Sequence, residues 1–184
     1  MWLLILGLIL FMTAHLSPGV FGMKAALISR LGEGRFRGLY VATSVTGMLC
    51  LIAGKAIAPF VNIWYPPLWG RTAAAWLVLL GFILFTAMMV PTNLRRWLHH
   101  PMLFGTVCWG TGHLLANGDL ASMLLFGSFT VFAATCIVSL NKRGNKGDQT
   151  RYAFWWDLIC GGVGFGAYSA VLMLHARLFG VAAM

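Results

Sequence analysis

Six apolar runs, long enough or nearly so to cross a lipid bilayer, constrain this 184-residue chain more than any other feature. A spanning α-helix needs about 20 largely apolar residues. The runs cover residues 2–21, 39–58, 72–91, 102–117, 120–140 and 154–179. The fourth is short, and Asn117-Gly118-Asp119 reads as a tight turn into the fifth. Hydrocarbon offers no water to backbone N–H and C=O groups, so such runs must be helical. The expected fold is all-α: an integral membrane helical bundle of about six transmembrane helices, one domain over residues 1–184. Composition agrees, because 9% of residues are charged against about 25% in a soluble domain. A water-soluble fold would have to enclose several all-round apolar helices in one small core.

The net charge of +9 raises nucleic acid as a partner, but the placement of the charge excludes it. The first loop carries Lys24, Arg30, Arg35 and Arg37, the third carries Arg95 and Arg96, and the fifth carries Lys142, Arg143, Lys146 and Arg151. Ten of the 13 Lys and Arg residues therefore fall in odd-numbered loops. By the positive-inside rule these loops face the cytoplasm and both termini face the other side. Residues 61–71 lie on that far side, where Trp64, Tyr65 and Trp69 with Pro66-Pro67 suit an interfacial aromatic belt. Met1-Trp2 offers no positive n-region, so the first run is expected to stay as a helix. Cys50, Cys108, Cys136 and Cys160 all lie in apolar runs without a C-x-x-C pair and read as small buried residues.

His15 and His113 sit inside two of the runs. A polar side chain at membrane depth faces the bundle interior and has a partner. Neutral imidazole also binds haem iron and other transition metals. His113 belongs to a helical face with Gly105, Trp109, Gly112, Ala116 and Asn117, at spacings of three and four. His15 belongs to a similar face with Gly7, Phe11, Ala14 and Pro18. By helix rise, His113 stands about 18 Å above the cytoplasmic start of its run and His15 about 9 Å above the end of its own. A shared metal is permitted but not demanded; each ring could instead bond a backbone carbonyl or a neighbouring hydroxyl.

Other polar residues have bland and functional readings side by side. Lys55, near the outer end of the second run, could snorkel to the interface or pair with a ligand carboxylate. Asp157 suits the dipole at the start of the last run and could meet loop arginines. His175 reads as interfacial. Gly161, Gly162, Gly164 and Gly166 read as tight helix packing, with a G-x-x-x-G spacing at 162 and 166 that could also dock a neighbour. The segment 93–104 holds Arg95, Arg96, His99 and His100 ahead of Pro101, a proline suited to a first helical turn. Free backbone donors there, with the arginines, could hold an anion.

Four segments carry a resemblance: R-L-G-E-G-R-F-R-G-L-Y (30–40), V-P-T-N-L-R-R-W-L-H-H-P-M-L-F-G (90–105), G-H-L-L-A-N-G-D-L (112–120) and F-G-S-F (126–129). They resemble the NnrU family of bacterial membrane proteins over about residues 5–140. The resemblance implies the bacterial cytoplasmic (inner) membrane and a link to denitrification through nitrite and nitric oxide. The same family includes the zeta-carotene isomerase of plants and cyanobacteria, which holds haem b through histidines and works only with reduced iron. It implies haem b as cofactor, with His15 and His113 as axial ligands, the latter in the segment from Trp109 to His113. Trp109 and Asn117 flank His113 by one turn on each side, Lys55 could pair with a haem propionate, and Arg95, Arg96 and His100 are further candidate cofactor-binding residues as an anion site. His99 replaces an arginine of the family pattern, and Gly110 replaces a cysteine found in the isomerase. A more distant similarity joins residues 100–105 to isoprenylcysteine-type methyltransferases, although Leu103 replaces their tyrosine. The expected function is therefore redox-dependent chemistry on a gaseous or small hydrophobic ligand, including cis-trans isomerisation of an isoprenoid. The alternatives are a lipid-directed methyltransferase-like enzyme and a non-catalytic partner of a respiratory complex. Expected partners are membrane lipids, with a second copy or a respiratory subunit in addition.

Overall fold

The computed structural model describes residues 1–19, 23–144 and 148–180, with side chains for all of these but 17–19. Among them every regular element is helical: α1 (Trp2–Gly19), α2 (Lys24–Leu31), α3 (Glu33–Ala56), α4 (Gly70–Thr86), α5 (Leu94–Trp97), α6 (Pro101–Ala116), α7 (Leu120–Lys142) and α8 (Trp155–Phe179). Helices α3, α7 and α8 are long and apolar enough to cross a membrane, and α4 and the stretch Trp2–Leu16 of α1 are shorter apolar helices. Only 11% of each long span's apolar window is buried within the chain, so most of that surface faces lipid.

The six expected runs correspond to α1, α3, α4, α6, α7 and α8. The first basic loop differs from expectation. It is helical over α2 and the start of α3, so Arg30, Arg35 and Arg37 ride on helices. Arg37 pairs with Glu33 one turn away at 3.1 Å, which suits an exposed i,i+4 helical face. The end of the first run at residue 21, the side chain of Pro18 and Lys146 lie outside the described residues.

Helix contacts place six helices in a row: α3 on α1, α1 on α7, α7 on α6, α6 on α4 and α4 on α8. Glycines allow the closest approaches. A Cβ at Gly54 of α3 would meet the backbone of Leu4 on α1, and Gly7 faces the backbone of Leu51. Gly81 and Gly105 face each other's carbonyl oxygens across α4 and α6. At such crossings dispersion contacts hold helices together without help from the hydrophobic effect, since lipid is as apolar as leucine.

The last helix corrects the sequence reading. Gly164 does pack on Ile83 of α4, and the Cys160 thiol lies 3.6 Å from the Ile83 carbonyl oxygen. Gly161, Gly162 and Gly166, however, have nothing within 4 Å among the described residues. Gly162 and Gly166 each stand two residues from Gly164, about 200° round the helix, and so face away from α4.

Polar tethers tie the ends of the row. Asp157 at the start of α8 accepts from Thr92 Oγ1 (2.5 Å), Asn93 N (2.8 Å) and Asn93 Nδ2 (2.7 Å), rather than from a loop arginine. Asn93 also exchanges hydrogen bonds with the backbone of Tyr152. At the other end, the turn between α6 and α7 bonds the 61–64 strand-like segment through Ile63 N to Gly118 O (2.8 Å) and Leu120 N to Val61 O (2.8 Å).

Gly54→Ala should lower thermal stability in detergent by about 1–3 kcal/mol, because Leu4's backbone cannot yield to the added methyl. Gly162→Ala should leave it unchanged or slightly raised, since alanine is the better helix former. Melting curves of the two variants check this; equal losses would contradict the packing.

Candidate functional site

In α1 and α6 the helix itself orients the two intramembrane histidines. Nδ1 of His15 donates to the Phe11 carbonyl at 2.8 Å, and Nδ1 of His113 donates to the Trp109 carbonyl at 2.9 Å. A carbonyl can only accept, so Nδ1 carries the proton in both neutral rings. Nε2 is then left with its lone pair, and it has no hydrogen-bond partner among the described residues. The bland reading, a bond to a backbone carbonyl, thus holds for one nitrogen of each ring and frees the other for a ligand.

Aromatic side chains surround both rings. His15 stacks on Phe11 at 4.1 Å and lies near Tyr40 (5.4 Å) and Phe132 (6.2 Å). His113 stacks on Phe126 at 4.3 Å and lies 5.2 Å from Trp109. Phe129 of α7 touches both walls, with ring centroids 5.3 Å from Phe11 and 5.8 Å from Trp109. Helices α1 and α6 therefore flank α7 and share Phe129 as a common floor. The rings do not stand at one level: they lean on Phe132 and Phe126, six residues apart on α7, or about 9 Å of helix rise.

The donor chemistry fits haem iron at each ring. A neutral imidazole with Nδ1 held by a backbone carbonyl presents Nε2 in a fixed orientation, the usual arrangement for a ligating histidine. The aromatic rings offer flat apolar surface to a macrocycle. Beside His15, a shallow groove of about 530 Å³ runs between α1 and α7, lined by Met12, Leu16, Leu124, Val131, Phe132 and Thr135 among others.

The remaining expected site residues are dispersed. Asn117 turns its amide onto the His113 carbonyl at 2.8 Å and helps end α6. Arg95 donates to the carbonyls of Ala87 and Met88 just after α4, both at 2.5 Å. His100 is buried and bonds Asn141 of α7 at 3.2 Å. His100 and His113 are thirteen residues apart at opposite ends of α6, about 20 Å by helix rise, so the basic segment and His113 do not form one cluster.

Lys55 is also spoken for within the chain. It donates to Asp119 Oδ1 at 2.9 Å and to Ser122 Oγ at 2.7 Å. Asp119 caps α7 by accepting from Ser122 N at 2.9 Å. The Asn117-Gly118-Asp119 turn is legible in the sequence; this ion pair is not. The signal was a carboxylate at an N-cap position followed three residues later by a serine, opposite the one intramembrane lysine.

These features define a class: an α-helical membrane protein with two imidazoles set among aromatic rings on neighbouring helices. The comparisons with known proteins make it specific. The model of the NnrU protein family matches residues 3–183, so the chain belongs to the NnrU family. No curated protein and no solved structure matches it.

Burial of Asp119 pushes its pKa up, but hydrogen bonds from Ser122 and Lys55 outweigh this and hold it below the usual value. The tether therefore stabilises the fold above about pH 4 and loses that contribution as pH falls through the lower folded-state value. Thermal midpoints of wild type should drop on acidification below pH 4, while those of Asp119→Asn should start lower and change less. Parallel pH profiles for the two proteins would contradict the assignment.

Proposed function

We propose that this NnrU-family protein binds haem b in the membrane interior through His15 and His113, one ligand from each of two helices that flank α7, with a slide of those helices along α7 that closes the offset of about 9 Å between the rings. The observation that carries the reading is the Nδ1–H bond each histidine makes to its own helix, which leaves Nε2 ready for iron. Six spans in the bacterial cytoplasmic membrane, with both termini on the periplasmic side, complete the proposed topology. The basic residues of alternate loops support it.

Phe11, Phe126 and Trp109 fix the imidazole planes by stacking and edge contacts. Phe129 and Phe132 exclude water from the same region, which strengthens every electrostatic interaction there. The apolar groove beside Phe132 suits an isoprenoid chain or a neutral gas entering from lipid. Bound haem supplies a redox-active iron whose axial positions the protein controls. The proposed chemistry is handling of nitrite or nitric oxide, or redox-dependent cis-trans isomerisation of an isoprenoid.

A second reading is a subunit of a respiratory or denitrification complex, favoured by the uncovered glycine face of α8 at Gly161, Gly162 and Gly166. It predicts a stoichiometric partner in mild detergent, and monomeric behaviour counts against it. The methyltransferase-like alternative has less support, because Arg95 and His100 are engaged within the chain.

Haem reconstitution into purified protein, read by its absorption spectrum, tests the first reading. The Soret band should form in wild type and in His175→Ala, and should be lost or shifted in His15→Ala and His113→Ala. Wild type that binds no haem, or a band unchanged in both His15 and His113 variants, would refute it.

A further inference from the structure

Arg96 of α5 is a charged side chain with no counter-ion among the described residues. Its Nε is fully buried, and it has no hydrogen-bond partner. The guanidinium forms no ion pair among the described residues. Guanidinium stays protonated under all ordinary conditions, so it cannot relieve burial by losing its charge. Arg96 as a whole is half-buried, so its other guanidinium nitrogens can reach the surface, while a buried donor left unpartnered, as Nε is, costs free energy and calls for a partner.

The polar groups of the adjoining segments are engaged with one another. Asp157 is filled by Thr92 and Asn93. Asp148 accepts from Thr150 N at 2.9 Å and from the Tyr152 hydroxyl at 3.0 Å. Arg95 is committed to the carbonyls at the end of α4, and His100 to Asn141. The described residues thus leave Arg96 open to an anion supplied from outside them.

Position selects the kind of anion. Arg96 lies where the apolar helices α4 and α6 end, beside Trp97, which is 77% exposed, with exposed His99 and Met102 close in sequence. Tryptophan at that depth marks the headgroup boundary, and methionine there can meet an acyl chain. His100 gives α6 no side-chain cap, so the helix start adds unfilled backbone donors on the same short segment. Arginine is the side chain best matched to phosphate, through two parallel N–H···O bonds.

We propose that Arg96 binds the phosphate of an anionic phospholipid at this rim of the membrane. Inorganic phosphate shares the chemistry, so the test must separate the two sources. Native mass spectrometry of the full chain in neutral detergent, with phosphatidylglycerol, phosphatidylcholine or inorganic phosphate added, does so. Wild type should retain phosphatidylglycerol on the order of tenfold more tightly than phosphatidylcholine. Arg96→Gln should abolish that preference with its helical circular dichroism unchanged. Persistence of the preference in folded Arg96→Gln would overturn the proposal. So would a wild type without any preference, a result that needs no variant to fold. Arg96-dependent capture of inorganic phosphate with no preference between the lipids would overturn the lipid assignment as well.

Discussion

At bilayer depth a polar atom must find its partner inside the chain, and the nearest acceptor on a helix is the carbonyl one turn earlier. Four threonines use it: Thr86, Thr106, Thr130 and Thr135 each donate to the residue four positions before. His15 and His113 do the same with Nδ1. The hydroxyls are then satisfied, but an imidazole has a second nitrogen on the far side of the ring that its own helix cannot reach. One local rule thus satisfies the threonines fully and leaves each histidine with a second nitrogen that has no partner among the described residues.

The helix row around these rings is held by close backbone crossings and by polar ties at its ends. Gly54 against Leu4 and Gly81 against Gly105 bring α1 to α3 and α4 to α6. Lys55, Asp119 and Ser122 lock α3 to the start of α7. Asp157, Thr92 and Asn93 lock the start of α8 to the segment after α4. Between those ends the interior is aromatic, and Phe129 joins the two histidine-bearing helices without an intervening polar group.

Much of this was legible in the sequence, because the bilayer allows few solutions. Helical spans follow from apolar run length, and the start of α6 at Pro101 follows from a residue that lacks an N–H. The family was legible in the 90–105 and 112–120 segments. What the sequence hid depends on three-dimensional partnership. Lys55 read as snorkelling because Asp119 lies 64 positions away. Gly162 and Gly166 read as packed because spacing says which residues share a face but not whether a neighbour covers it. Arg95 and Arg96 looked equivalent side by side, yet one caps a helix and the other is unpaired.

Paramagnetic resonance of the oxidised, haem-loaded protein is the most direct test of the paired-histidine account. Two imidazoles on one iron predict a low-spin ferric signal that becomes high-spin when either His15 or His113 is replaced by alanine. A high-spin signal in wild type, or a low-spin signal that survives both replacements, would contradict it.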